Sequence, residues 1–443
     1  MALLTKPLTQ VKKLDAAQVL RIAELGLRGS FRLAQTVTAV YPRALKWLVQ
    51  WRQPEPHEVR ELFEALGTTY IKFGQFIASS PSVFPKNYVD EFQLCLDRTP
   101  AIPFTKVKQI VEQDLGRPLG QVFASIEPQS LASASIAQVH AAKLLSGEDV
   151  VVKVQKPGVE AVLTTDMNAV YLLTRLMELI MPNTDREAVA GLVAEMYQSM
   201  VDECDFIKEA ENLTEFRRFL QNTDNTQVVA PKPYPQASGR KVLTMERLYG
   251  RALTDNSVDS MGIDPAASLF NALNTWFASL TQCPFFHADL HSGNLLLLDD
   301  GRVGFIDFGM VGRIQPEAWQ AMFTLFTAIS TQDYRSMAEA MVTVGITREK
   351  VDVDGLTRDI AKLFQGLENF DAMAGMGVGG EAGDGINALL SELGNIARNY
   401  GIRFPRAFTM LLKQFLYFDR YVDMLAPGAD IFHDQRIDMM RLH

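Results

Sequence analysis

The stretch His287-Ala-Asp-Leu-His-Ser-Gly-Asn294, followed thirteen residues after its asparagine by Asp307-Phe-Gly309, decides the fold of this chain. It sets a carboxylate at Asp289, an amide at Asn294 and a second carboxylate at Asp307. Phosphoryl transfer from a nucleotide needs such a set: one carboxylate handles the nucleophile's proton, while an amide and a carboxylate hold magnesium on the phosphates. Between Asn294 and Asp307, Leu295-Leu-Leu-Leu298, the turn Asp299-Asp-Gly301 and Val303-Gly-Phe-Ile306 predict a hairpin. A hairpin brings the two proposed metal ligands side by side.

Blander readings compete with this one. Asp-Phe-Gly alone is a common exit from a strand. His287, Asp289 and His291 alternate, so on an extended segment they share a face and could form a metal triad. That triad leaves Asn294 and Asp307 without a role, and the histidines are better read as packing around the loop and holding Asp289. The spacing matches the protein-kinase type of site, which accounts for most of the residues.

Such a site needs a lysine on an upstream strand. Val150-Val-Val-Lys153-Val-Gln155 has strand composition and ends in the turn signal Lys156-Pro-Gly158. A lysine within an apolar strand is costly to bury unless anions meet it, here phosphate and a carboxylate. The spacing predicts a helix from Asp185 to about Leu220, dense in carboxylates around Glu203-Cys-Asp205 and Glu209. Asp205 and Glu209 lie one turn apart, and Glu209 is the expected partner of Lys153. A solvated acidic face is the ordinary alternative. Lys241-Val-Leu-Thr-Met-Glu246-Arg-Leu248 predicts a strand leading into Tyr249-Gly250, where a hinge around Glu246 and Leu248 would meet adenine. No Gly-x-Gly-x-x-Gly precedes the lysine strand. Ala132-Ser133-Ala134-Ser135 stands there instead, with less access to positive φ and with hydroxyls that could meet phosphate.

With these motifs in order, the chain resembles the UbiB/AarF-like atypical kinases. Lys72-Phe-Gly-Gln75 looks like that family's Lys-x-Gly-Gln signature, Ala132 to Ser135 like its alanine-rich loop, and Glu203-Cys-Asp205 like its Glu-x-Asp motif. The resemblance covers roughly residues 60 to 315 and implies a two-lobed protein-kinase-like α+β fold with a helical N-terminal extension. It further implies ATP and Mg2+ as cofactors and a role in ubiquinone or other prenylquinone lipid metabolism. Carried over, Asp289 is the catalytic base, Lys153 holds the α- and β-phosphates, and Asn294 and Asp307 hold the metal. Lys72 and Gln75 belong to a regulatory segment over the pocket, with Lys72 facing Glu203 and Asp205. The family usually has Asp-Pro-His-Pro-Gly where this chain has Asp289-Leu-His-Ser-Gly. That wording also resembles the aminoglycoside- and choline-phosphotransferases, so a small-molecule phosphotransferase remains the alternative, beside a nucleotide-binding scaffold without turnover.

Composition bounds the rest. The 443 residues, 47% hydrophobic, suffice for more than one core. They divide into a basic amphipathic segment (1–53), a helical extension (54–119), an N-lobe (120–250) and a mostly helical C-lobe (251–443). The net charge of −9 argues against nucleic acid as a partner. Cys95, Cys204 and Cys283 are scattered, as expected of reduced thiols in the cytoplasm. The start lacks the pattern of a signal peptide. Residues 1 to 53 hold nine Lys/Arg against Asp15 and Glu24, net +7, so the remainder carries −16. With Phe31, Tyr41, Trp47 and Trp51, this segment suits either an anionic membrane surface or the acidic body of the same protein. The resemblance to a lipid-linked family favours peripheral attachment to an inner or internal membrane, with an isoprenoid or quinone-type lipid as partner. No span is predicted, because Lys413, Asp419, Arg420 and Asp423 interrupt the apolar run from Ala407 to Leu425. Gly375 to Gly385 reads as a loop rather than a phosphate cradle, since no strand precedes it.

Overall fold

The structure is a computed structural model that describes residues 54–67, 86–92, 101–159, 200–255, 257–347, 350–374 and 392–427, with isolated positions between and beyond these. Lys72, Gln75, Gly375 to Gly385 and all of residues 1 to 53 except Lys46 lie outside the described residues. The Lys46 ammonium sits 3.1 Å from Glu58, so this one basic residue does meet the body of the protein.

Among the described residues, the helices α1 (Pro56–Leu66), α2 (Lys86–Phe92) and α3 (Phe104–Leu115) precede the first strand. Strands β1 (Phe123–Ser133), β2 (Ala137–Leu144) and β3 (Asp149–Gln155) follow as an antiparallel meander. After α4 (Phe206–Asn222) and the short β4 (Val228–Val229), β5 (Val242–Glu246) closes this sheet in the order β1-β2-β3-β5. Alternation along β3 sorts its side chains. Val150, Val152 and Val154 are fully buried against Val107 and Val111 of α3. Lys153 therefore faces the opposite side of the sheet. Although α3 falls in the extension drawn at 54–119, its Val107 and Val111 share one hydrophobic core with the strands of the N-lobe, so that core runs across the boundary at 119.

The single helix expected from Asp185 to Leu220 is broken. Residues 160–199 lie largely outside the described set, and the chain turns at Glu203-Cys204 before α4 begins. The break has a local cause that needs no Pro or Gly. Asp205 takes an extended backbone as N-cap, and its carboxylate accepts hydrogen bonds from the Ile207 and Lys208 amides.

The larger lobe pairs β6 (Gly250–Ala252) with the hairpin formed later in the chain. Helix α5 (Pro265–Gln282) leads through β7 (Phe286–His287) and the loop 288–294 to β8 (Leu295–Leu298) and β9 (Val303–Phe305). The predicted hairpin pairs Leu295 with Phe305 and Leu297 with Val303, in a second sheet ordered β4-β9-β8-β6. A Cβ at Gly250 would collide with the Leu297 carbonyl, so this crossing of the chain from one lobe to the other requires glycine. Strand β10 (Val311–Gly312) returns to pair with β7. Helices α6 (Pro316–Thr331), α7 (Tyr334–Val344), α8 (Val353–Ala374), a helical stretch over 392–399 and α9 (Arg406–Leu425) complete the lobe. Trp276 of α5 is fully buried against Phe286, Phe415 and Phe418, which fastens α9 beneath the loop 288–294. No helix among the described residues is long and apolar enough to cross a membrane.

Candidate active site

The cleft between the two sheets gathers most of the predicted residues. The Lys153 ammonium donates to both carboxylate oxygens of Glu209, at 2.8 and 3.0 Å, and lies 3.0 Å from Asp307. Lys153 and Glu209 are both buried, with the Glu209 side chain 1% exposed, whereas Asp307 is 44% exposed. Burial pushes the Glu209 carboxyl up to about 7, with Lys153 pulling the other way. Burial works against the charge on Lys153, but Asp307 and Glu209 outweigh it and raise its pKa, so the lysine stays an ammonium. One ammonium thus bridges the small-lobe helix and the end of β9, and the second contact, to Asp307, was not foreseen from the sequence.

Asp307 is one of three non-glycine residues at positive φ among those described, at 61°. Its carboxylate accepts from the Gly309 amide at 3.3 Å. A Cβ at Gly309 would lie 3.2 Å from Asp307 Oδ1 and 3.9 Å from Glu203 Cγ, so Glu203 approaches this turn directly. Asp205 does not; its carboxylate caps α4.

The loop from Ala288 to Asn294 is held by hydrogen bonds. His287 is fully buried, and burial lowers its imidazole to about 4, leaving it neutral. Its Nε2 lies 3.1 Å from the Ile306 carbonyl and its Nδ1 accepts from the Asp289 amide at 3.2 Å. With both ring nitrogens engaged, His287 has none left for a metal triad with Asp289 and His291. No group of three or more His, Cys, Asp or Glu suited to a metal occurs among the described residues. Asn294 is buried, and its side-chain amide donates to the Asp289 carbonyl at 2.8 Å. The Asn294 carbonyl accepts from the Ile306 amide at 3.0 Å, tying the start of the hairpin to its end.

The sequence reading missed what lies beneath. Gln414 of α9, fully buried, accepts from the Leu290 amide and donates to the Ala288 carbonyl, both at 2.7 Å. Tyr421 donates to the Leu290 carbonyl at 3.0 Å. Lys413 places its ammonium 2.9 Å from Asp289 Oδ1. In the sequence, Lys413 appeared only as one of the charged residues interrupting an apolar run, and Gln414 was not singled out. Two adjacent polar residues on an otherwise apolar helix face were the available signal.

The alanine-rich segment forms the hairpin joining β1 and β2. The Ala134 amide donates to the Ala137 carbonyl at 2.8 Å, and the Lys156 amide pins the tip through the Ile136 carbonyl at 2.8 Å. None of its residues has positive φ, so alanine and serine fit without strain. The Ser133 hydroxyl oxygen is buried with no hydrogen-bond partner. At the other edge, Glu246 pairs with Val150, and its carboxylate accepts from the Lys232 amide at 3.1 Å. Leu248 follows in the crossing strand, against Gly304 of the hairpin.

A small antiparallel sheet carrying a paired lysine, an Asp–Asn–Asp loop and hairpin, and a helical lobe below define a two-lobed protein-kinase-like α+β fold. The chain belongs to the family of the ABC1 atypical kinase-like domain, whose profile matches residues 94–341. It is 43% identical to a chloroplastic aarF domain-containing protein kinase of Arabidopsis thaliana, over 94% of this chain and 83% of the relative. It is 31% identical to a probable protein kinase UbiB of Azotobacter vinelandii, over 76% of this chain and 65% of that protein. Among solved structures, it is similar to a Mycobacterium tuberculosis protein determined in complex with erythromycin. That match has a TM-score of 0.49 at 21% identity, covering 80% of this chain and 91% of the other.

Proposed function

We propose that the cleft binds magnesium-bound ATP and hydrolyses it, or transfers its terminal phosphoryl group to a small or lipid-linked acceptor in prenylquinone or other isoprenoid-lipid metabolism. The observation that carries this reading is the buried Lys153 held between Glu209 and Asp307, a costly arrangement unless the ammonium has work at an anion. Glu209 fixes Lys153 for the α- and β-phosphates. Asn294 and Asp307 offer an amide oxygen and a carboxylate, the hard oxygen donors that suit magnesium. When bound, that ion neutralises charge on the phosphates. Asp289 orients the attacking hydroxyl or water and takes its proton. The Ala132 to Ser135 hairpin covers the phosphates, and the backbone from Glu246 to Leu248 meets the adenine. Lys72 and Gln75 belong to a segment that limits access to bulky substrates, with Lys72 facing Glu203, which lies beside Gly309, and Asp205. The basic segment 1–53 supplies contact with an anionic membrane.

Relatives named as a probable protein kinase UbiB and a chloroplastic aarF domain-containing protein kinase support the kinase part of this reading. The test is ADP release from Mg-ATP, with and without anionic liposomes carrying a prenylphenol-like headgroup. Stimulation by the lipid is the expected result. A full chain that binds no nucleotide in the presence of magnesium would end this reading.

A further inference from the structure

Lys413 stands more than a hundred residues after Asp289 in sequence, yet its ammonium meets the Asp289 carboxylate at 2.9 Å. This contact is built into the fold. The next residue, Gln414, bonds the backbone on both sides of Asp289, so the register of α9 against the catalytic loop is fixed to the residue. One turn further along, the Tyr417 ring lies 5.4 Å from the ammonium. Lys413 is only 15% exposed and Asp289 23%, so the pair is a partly buried one rather than a surface ion pair.

The charges of the cleft explain why a second cation is needed. Lys153 is already shared between Glu209 and Asp307. Lys413, beside Asp289, is a further ammonium that can meet phosphate charge. A hydroxyl bonded to Asp289 lies about 3 Å from the carboxylate and about 3–3.5 Å from the phosphorus it attacks. A cation 2.9 Å from that carboxylate therefore stands within one side-chain movement of the terminal phosphate.

We infer that Lys413 is a further catalytic residue: its ammonium, held by Asp289 before nucleotide binds, contacts the terminal phosphate of bound ATP. The inference rests on the proposed nucleotide site and adds to it a residue from the far end of the chain. A lysine that served only to neutralise Asp289 would lose its purpose once Asp289 became an amide, and this separates the two roles.

The test is calorimetric affinity for Mg-ATP and Mg-ADP in the full chain, for the parent, K413M, K413R, D289N and D289N/K413M. K413M is expected to weaken ATP by about tenfold and ADP by less than about twofold, the loss of one charge-assisted contact to the terminal phosphate. K413R, which keeps the charge, should restore most of the ATP affinity. D289N/K413M should bind ATP about tenfold more weakly than D289N. Equal ATP affinity in D289N and D289N/K413M would overturn the inference while leaving the nucleotide site intact. If K413M fails to fold because Asp289 loses its counter-charge, that D289N pair decides alone. A parent that binds neither nucleotide would remove the site and this inference together.

Discussion

Lys153→Met deletes one charge from a buried cluster and leaves two carboxylates behind. Asp307 is 44% exposed and can be solvated, but the Glu209 side chain is 1% exposed and cannot. Breaking a buried pair by removing one partner typically costs about 3–5 kcal/mol, because the survivor is an uncompensated charge. Glu209 can reduce that cost by staying protonated, which makes the penalty depend on pH. With Lys153 present, burial already raises the Glu209 carboxyl to about 7. A carboxyl raised above its unfolded value contributes stability that is full below that unfolded value and is lost as pH rises through the folded one. In the parent the loss ends near pH 7, where the ammonium accepts the carboxylate. Without the ammonium the folded value climbs further and the loss continues. The deficit of Lys153→Met should therefore be modest at pH 6 and widen above pH 7, reaching a melting-temperature difference of about 3–5 °C near pH 9. Thermal denaturation of both proteins across that range measures it. Glu209→Gln is the control: Lys153 keeps Asp307, so this variant should lose less and show no widening above pH 7. A Lys153→Met deficit that stays constant from pH 6 to pH 9 would refute the buried, lysine-dependent carboxylate.

Asp307→Asn should cost at least about tenfold in Mg-ATP affinity by calorimetry, since it removes the carboxylate proposed to hold the ion. Asparagine tolerates the positive φ at 307, so thermal stability should change little by that route. Gln414→Leu strands the Leu290 amide and the Ala288 carbonyl in a dry interior and should cost about 2–4 kcal/mol of stability, measured by denaturant unfolding. If Gln414 also positions Asp289, turnover should fall more than Mg-ATP affinity. Ala134→Gly frees a hairpin that has no positive φ of its own and should shift the ATP/ADP affinity ratio toward ATP, at a cost of about 0.5–1 kcal/mol in loop entropy. An unchanged ratio at fixed magnesium would detach this hairpin from the phosphates.

The local motifs were legible because their chemistry is local. Apolar runs around Asp299-Asp-Gly301 can only turn back on themselves, so the hairpin and the neighbourhood of Asn294 and Asp307 follow from the sequence. Side chains alternate along β3, so with Val150, Val152 and Val154 buried on one face Lys153 takes the other. Other features depend on elements distant in the chain. Helix continuity through Asp205 looked favourable by periodicity, but a carboxylate that caps free amides ends one helix and starts another. Pairing of Lys153 with Asp307 as well as Glu209 needed the two lobes to close on one another. Lys413 reads in sequence as a flaw in an apolar helix, and nothing there singles out Gln414. Only the packing of α9 under the loop 288–294, through Trp276, Phe415 and Phe418, brings Lys413 and Gln414 to Asp289, because a buried backbone must find its hydrogen bonds wherever the fold supplies them.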